Sequence, residues 1–448
     1  MLAHADTLRL LLARGPQTSR ALQQATGLSQ PTVSRALAAL APELVTLGAA
    51  RSIRYALLDP GRGYQNLPVY RVDTEGRIAP IGRLLPVRPE GHVMRQADGA
   101  AIHHEGLPWW LADMRPRGYL GRAYAARHGA ALGLPAALNE WTDAQAVRAL
   151  VAHGHDVVGN LLLGEHAREH FLAAPASVPI AAANKPAAYA ALAAQASRGD
   201  MPGSSAGGEQ PKFAACAETA DGPRHVLVKF SVPAQHAVAE RWRDLLLAEH
   251  LALETLREAG VAAARTAIVD LGDQRFLEIE RFDRIGERGR RAVFSLGSLD
   301  DQFLGRRNQP WPDVVQGLAD QGLVRPEVAQ GAARLYAFGT LIANTDMHAG
   351  NLSFLSDGEL PCGLAPAYDM LPMGFAPRSG GAMPDTLGPV RLAPGVPAAV
   401  WRQAHAWALD YLLRLGAHPG LSPRFAPCLD ALAERLFEAG EHIHRLAD

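Results

Sequence analysis

Leucines at 8, 10, 11 and 12 give residues 5–13 one apolar face, the pattern of a short amphipathic helix that Gly15-Pro16 closes. Thr18 or Ser19 is placed to cap a second helix running to Ala25, and Thr26-Gly27 makes the turn out of it. Ser29 then caps a third helix with Pro31 among its first residues, where proline is favoured. Beyond Pro42, two alternating runs, 44–47 and 52–57, are joined by Gly48-Ala49-Ala50-Arg51. In the second, Ile53, Tyr55 and Leu57 share one face, and Ser52 and Arg54 share the other. Three helices followed by a β-hairpin is the order of a winged helix-turn-helix.

The pattern changes after a Gly/Pro-rich segment at 59–63, which reads as a linker. Short β-like runs separated by turn residues fill 67–105, and 106–175 reads as mostly helical. Trp109, Trp110 and Tyr119 read there as packing residues rather than a ligand cage. The Ala-rich 181–195 reads as helix or connector. From 225 the strand-like HVLVKF precedes a long helix at about 236–259 and a β-rich stretch ending in FLEIERFDR. Past about 300 the chain is mainly helical, apart from 344–395.

Composition narrows the classes. At 448 residues with 48% hydrophobic and 20% charged positions, the chain can bury sizeable cores in two or three domains. No run of 18 uncharged apolar residues exists, and MLAHADTLRL lacks the layout of a signal peptide. Three scattered cysteines, Cys216, Cys362 and Cys428, build no disulfide framework. These features predict a cytoplasmic protein with no membrane partner. The net charge of −1 makes any nucleic-acid binding local, and the N-terminal unit is where it would be. There, six arginines stand against Asp6 and Glu43, about +4. A plain three-helix satellite would share that layout. A recognition helix needs polar groups for bases and phosphates, and Ser29, Gln30, Thr32, Ser34 and Arg35 offer them, with Arg51 and Arg54 on the hairpin.

Candidate chemistry is concentrated further on. Asp346 and Asn351 in NTDMHAGN have the D-x-x-x-x-N spacing of a phosphoryl-transfer loop, and Asp369 follows 18 residues after Asn351. One carboxylate aims at the acceptor hydroxyl, and the other oxygens suit Mg²⁺. Alone the motif is weak; a hydrolytic metal site of His348 with Asp346 and Asp369 fits the same residues. The Gly/Ser loop of residues 203–212, with Ser204, Ser205, Gly207, Gly208 and Lys212, is of the type whose N–H groups cradle phosphates, though an interdomain loop can look the same. Only three of the 44 basic residues are lysines, at 185, 212 and 229. Lys229 ends an apolar strand, and Glu249 on the next helix is placed to pair with it. Glu280 and Phe282 close a strand where a hinge would meet adenine.

The series SSAGGEQPK, VLVKF, IERFDR, NTDMHAGN and PAYDM resembles the HipA family of serine/threonine kinases, toxins of bacterial toxin–antitoxin pairs, over about 65–440. The fused N-terminal unit departs from the layout in which a separate antitoxin supplies DNA binding, and is similar to a subgroup carrying its own helix-turn-helix. The resemblance implies an α+β chain. It comprises a winged helix-turn-helix at 1–60, a HipA-like N-terminal subdomain at 61–175, a kinase N-lobe at 176–290 and a helical C-lobe at 291–448. It implies ATP and Mg²⁺ as cofactors, with Asp346 as catalytic base and His348 positioning the loop. Asn351 and Asp369 would hold the metal, Lys229 the phosphates, and the backbone of Glu280 and Phe282 the adenine. Ser205, with Ser204 beside it, matches an autophosphorylated serine. Implied partners are DNA and a protein substrate; the family's known substrates include aminoacyl-tRNA synthetases. A homodimer is the state winged-helix proteins commonly take on palindromic sites. The alternatives are a DNA-binding regulator whose kinase-like body only holds nucleotide, and a metal-dependent nuclease.

Overall fold

The computed structural model describes residues 2–48, 52–197, 210–358 and 360–446. The chain divides into two compact units. One contains residues 1–73, 77–116 and 130–175; the other contains 74–76, 117–129 and 176–448.

The first unit begins with α1 (Leu2–Leu12), β1 (Gln17–Thr18), α2 (Ser19–Thr26), α3 (Gln30–Ala39), β2 (Leu44–Leu47) and β3 (Arg54–Leu57). The Thr18 hydroxyl caps α2 by accepting the Ala21 N–H at 3.1 Å, and Gly27 ends it at φ 69°, a conformation glycine adopts without strain. Ser29 opens α3 differently: its hydroxyl pairs with that of Thr32 at 2.9 Å rather than capping the backbone. Leu8, Leu12, Leu22, Val33 and Leu37 close the helices over one core. β3 lies between β1 and β2 in an antiparallel sheet. Val45, Leu47 and Ala56 of that sheet are buried against Leu85, Val87 and Val93 of the neighbouring sheet.

That second sheet contains β4 (Leu67–Val72), β5 (Ile78–Pro86), β6 (His92–Gln96) and β7 (Ala101–His104), in the order β7-β6-β5-β4 with β8 (Leu161–Leu163) outside β4. The predicted linker at 59–63 is an ordered turn between the two sheets. Its Arg62 is almost wholly buried; it donates to the Asp59 carboxylate and to the carbonyls of Val87, Pro89, Glu90 and Gly91. Glycine and proline favour linkers and tight turns alike; buried hydrogen bonding decides between them. After α4 (Gly118–His128), which belongs to the other unit, α5 (Asp143–His153) and α6 (Gly164–Ala173) flank β8. The sequence reading of 106–175 as mostly helical missed β8. Three leucines buried on both faces carry no alternation that could mark a strand.

In the second unit, α7 (Lys185–Ser197) precedes β9 (Lys212–Thr219), β10 (Gly222–Phe230), α8 (Ala237–Glu258), β11 (Thr266–Leu271) and β12 (Gln274–Glu280). The strands form an antiparallel sheet, β11-β12-β10-β9. Alternation assigns its faces. Val226, Val228, Phe230 and Phe276 pack with Tyr189 of α7, while Leu277 and Ile279 pack with Leu246 of α8. The short β13 (Arg284–Ile285) and β14 (Gly289–Arg290) pair, and β15 (Ala292–Ser295) leads to α9 (Leu296–Phe303), α10 (Trp311–Asp320) and α11 (Pro326–Leu341). β16 (Ser353–Ser356) and β17 (Gly363–Leu364) complete a sheet with β15, before α12 (Ala398–Ala417) and α13 (Ala426–His444). Phe338, Trp401, Tyr411, Leu432 and Leu436 fill the helical core. Among the described residues no helix is long and apolar enough to cross a membrane.

Candidate functional site

β10 turns Lys229 to the α8 face of its sheet, with Lys212 opposite it in register on β9. Its Nζ lies 2.7 and 2.8 Å from the two carboxylate oxygens of Glu249, which is fully buried on α8. Lys229 also bonds Asp369 Oδ1. Burial opposes the charge on Lys229, but Asp369 and Glu249 together raise its pKa and keep it an ammonium. Burial pushes the Glu249 carboxyl up. Burial also works against the Asp369 carboxylate, yet Lys229 and Lys212 hold its pKa down at about 2.

The loops are held to each other by Asn344, 4% exposed. Its Nδ2 donates to the Asp369 carbonyl at 3.0 Å, and its Oδ1 accepts the Asp346 N–H at 3.1 Å. Two strained residues flank this clamp: Ala343 at φ 62° and Asp369 at φ 50°. Left-handed backbone costs such residues about 1–3 kcal/mol and persists only where the surroundings enforce it. The Asp369 segment is further tied to the sheet side of the unit, since Ala367 exchanges backbone bonds with Ala262 and Ala264, each 2.9 Å. Tyr368 donates to the Gly350 carbonyl at 2.8 Å, and its ring lies 5.8 Å from that of Phe282.

Asp346 is exposed, with its carbonyl accepting the His348 N–H and Asn351 Nδ2, both at 2.9 Å. That second bond commits Asn351 Nδ2 to the loop's own backbone. His348 Nδ1 accepts the Gly350 N–H at 3.0 Å, which places a neutral ring's proton on Nε2. A Cβ at position 350 would meet that ring at 2.8 Å, so a side chain there would have to displace His348. The His348 carbonyl receives Trp311 Nε1 at 3.2 Å, bracing the loop from α10.

Of the residues singled out from sequence, Lys212, Lys229, Glu249, Asp346, His348, Asn351 and Asp369 belong to this second unit. Glu280 donates its N–H to the Arg265 carbonyl at 2.9 Å, as the last residue of β12. Ser204, Ser205, Gly207, Gly208 and Arg51 lie outside the described residues. Next to that loop, the buried amide of Gln210 has no hydrogen-bond partner among the described residues. In the first unit, Ser29, Gln30, Ser34 and Arg35 are exposed on or beside α3, Thr32 is half-buried, and Arg54 is exposed on β3. Arg9 is neutralised by Asp6 and by Glu43, the latter at 2.8 Å.

Sequence reasoning missed three features. Asn344 sits two residues before Asp346, a signal that was there to read; Trp311 gave none. The third is a buried pair on the opposite sheet face, where Lys185 meets Glu278 at 2.7 Å and Tyr189 donates to the same carboxylate. The scarcity of lysine pointed to Lys185 without saying what it met.

The donor set fits a hard divalent cation held jointly with phosphates. Asp369 and Asn351 offer oxygens, and among the described residues no group of three or more His, Cys, Asp or Glu could hold a metal by itself.

Comparison with known proteins places the chain. Residues 63–172 match the YjjJ-like toxin middle domain, and 204–408 match the HipA-like C-terminal domain. Toxin YjjJ of Escherichia coli (strain K12) is 38% identical over 440 residues, spanning 97% of this chain and 98% of that protein. HipA of Shewanella oneidensis MR-1, solved in complex with HipB and its operator DNA, superposes with a TM-score of 0.51 at 17% identity, covering 84% of this chain and 97% of that one. The Helicobacter pylori proinflammatory kinase CtkA matches 53% of this chain and 93% of its own, with 12% identity and a TM-score of 0.37. Full-length identity to a toxin, a HipA-like C-terminal domain and the HipA fold agree: the chain belongs to the HipA family of toxins, alongside toxin YjjJ.

Proposed function

We propose that this toxin-family protein is an ATP- and Mg²⁺-dependent serine/threonine protein kinase whose N-terminal unit is a DNA-binding winged helix-turn-helix. The observation that carries the reading is Lys229, buried and bonded at once to Glu249 and Asp369, with Asn344 tying Asp369 to the loop of Asp346. Lys229 offers its ammonium to the nucleotide phosphates, and Glu249 fixes where that ammonium sits. Asp369 and Asn351 hold Mg²⁺, which when bound neutralises charge on the phosphates. Asp346 accepts the proton of the acceptor hydroxyl, and His348 keeps its loop in shape through Gly350. With the Glu280 N–H already committed, adenine recognition through an N–H rests on Phe282. Ser205, or Ser204 beside it, is the site of self-phosphorylation. A phosphate of about −1.5 to −2 charge there repels the nucleotide's own phosphates and limits the enzyme.

Incubation with γ-labelled ATP and Mg²⁺, followed by mass spectrometry of the labelled proteins, tests this. Label on serine or threonine of the chain or of lysate proteins supports it, and label on Ser204 or Ser205 supports self-limitation. Nucleotide bound without transfer would instead favour the regulator whose body only holds nucleotide.

Asn344 gives a sharper prediction. Asn344→Ala should lower kcat about 10- to 100-fold, because both loops lose their tie. Asn344→Asp keeps the acceptor for the Asp346 N–H and loses the donor to the Asp369 carbonyl. It should therefore raise the Mg²⁺ concentration for half-maximal rate more than it lowers the saturated kcat. A Mg²⁺ titration of both variants decides, and an unchanged Mg²⁺ requirement would leave Asn344 with only a structural role.

For DNA, the related HipA structure contains operator DNA, and α3 here presents Gln30, Ser34 and Arg35 to solvent. Arg35→Ala should weaken binding by the full chain several-fold to tenfold, in the range of about 1 kcal/mol or more for a recognition contact. Arg9→Ala should do less, since Asp6 and Glu43 already take its charge. The whole chain is needed because the β2–β3 sheet shares a core with the next sheet. Equal effects of both substitutions on DNA affinity would remove α3 as the reading helix.

A further inference from the structure

A cleft of about 650 Å³ opens beside the catalytic loop. Asp346 and His348 line it, whereas Lys229, Glu249 and Asp369 do not. The groups assigned to the nucleotide and this cleft therefore share only the loop that holds the proposed base. Its floor is aromatic: Trp311 and Tyr336 pack edge to face with ring centres 6.3 Å apart. Trp311 also bonds the His348 carbonyl, so the floor is fixed to the loop itself.

Its rim is the exposed segment 305–309, where Arg306 and Arg307 stand side by side. The Arg306 N–H is held by Asp300 at 2.8 Å, and its guanidinium donates to the Asp313 carbonyl at 3.1 Å. Among the described residues that guanidinium has no carboxylate partner. Arg307 pairs with Asp301 at 2.7 Å, but the two side chains are 75% and 52% exposed. An ion pair so open to water is weak and exchanges readily for another carboxylate. The cleft thus presents a proton acceptor, an apolar floor, and two exposed guanidiniums at its rim, with Asp300 and Asp301 also on its walls.

We infer that this cleft seats the acceptor: a polypeptide segment whose hydroxyl reaches Asp346 and whose neighbouring carboxylate side chain is read by Arg306 and Arg307. The inference rests on the kinase reading above and adds a substrate class to it. The hydroxyl oxygen bonds to the γ-phosphorus, and the bond from that phosphorus to the β–γ bridging oxygen breaks. The hydroxyl proton passes to Asp346, and ADP leaves with the electron pair.

The test uses the full chain with two peptide sets, each carrying one serine or threonine flanked by glutamates or by lysines. Wild type should favour the acidic set by at least tenfold in kcat/KM. The double variant Arg306→Glu/Arg307→Glu should lose or reverse that preference, chiefly through KM. Arg306→Ala, which reverses no charge, should show a smaller loss in the same direction, and nucleotide titration reports whether each variant has folded. An unchanged preference in the variants would overturn the inference, as would a wild-type preference for lysines, or transfer to RNA and to neither peptide set. Wild type that labels itself but neither set would overturn the inference alone. No transfer to anything would overturn the kinase reading with it.

Discussion

Lys229→Met is expected to destabilise the second unit by about 3–5 kcal/mol and to abolish phosphoryl transfer. The stability term follows from what the lysine leaves behind. Glu249 is 0% exposed, and removing its cation strands a buried carboxylate beside that of Asp369. Breaking a buried pair from one side costs far more than replacing both partners with apolar groups of similar volume. The double variant Lys229→Met/Glu249→Leu should therefore recover most of the lost stability, as Asp369 keeps partial access to water. It should recover no transfer, because the ammonium for the phosphates is still missing. Denaturant unfolding and a transfer assay on the same three proteins separate the two roles. Wild-type stability in Lys229→Met would mean the buried cluster is not what holds these elements together. Transfer by the double variant would mean that Lys229 does not act on the phosphates.

Much of this site was legible in the sequence, for reasons that can be named. Lys229 and Glu249 lie on elements with strong periodicity, so their spacing alone brought strand end and helix face together. Asp346 and Asn351 share a short loop whose chemistry is encoded by local spacing. Asn344 and Trp311 were not read as functional, because their roles arise from contacts with Asp369 and His348 that no periodicity specifies. The same limit explains the first unit. Val45, Leu47 and Ala56 alternate as a hairpin should, but nothing local says that their buried face meets Leu85, Val87 and Val93. Arg62 looked like part of a flexible linker because its partners are carbonyls about 25 residues away. β8, a run of three leucines, lacked any pattern to separate strand from helix. Electrostatics was equally hidden: Arg9 counted towards a basic surface until Asp6 and Glu43 were found against it.

The central claim is that Asp346 is the base of a phosphoryl-transfer site, and Asp346→Ala addresses it with little structural risk. Its side chain is exposed, and its backbone bonds to Asn344, His348 and Asn351 do not need the carboxylate. Stability should therefore stay within about 0.5 kcal/mol of wild type. Nucleotide affinity should also be retained, since Lys229, Glu249 and Asp369 are untouched. A general base of this kind is worth roughly 10²- to 10⁴-fold in rate. The deciding measurement is the single-turnover rate of phosphate transfer from bound Mg·ATP to protein hydroxyls, wild type against Asp346→Ala. A fall of at least about 100-fold with unchanged nucleotide affinity is the predicted result; equal rates in the two proteins would contradict it.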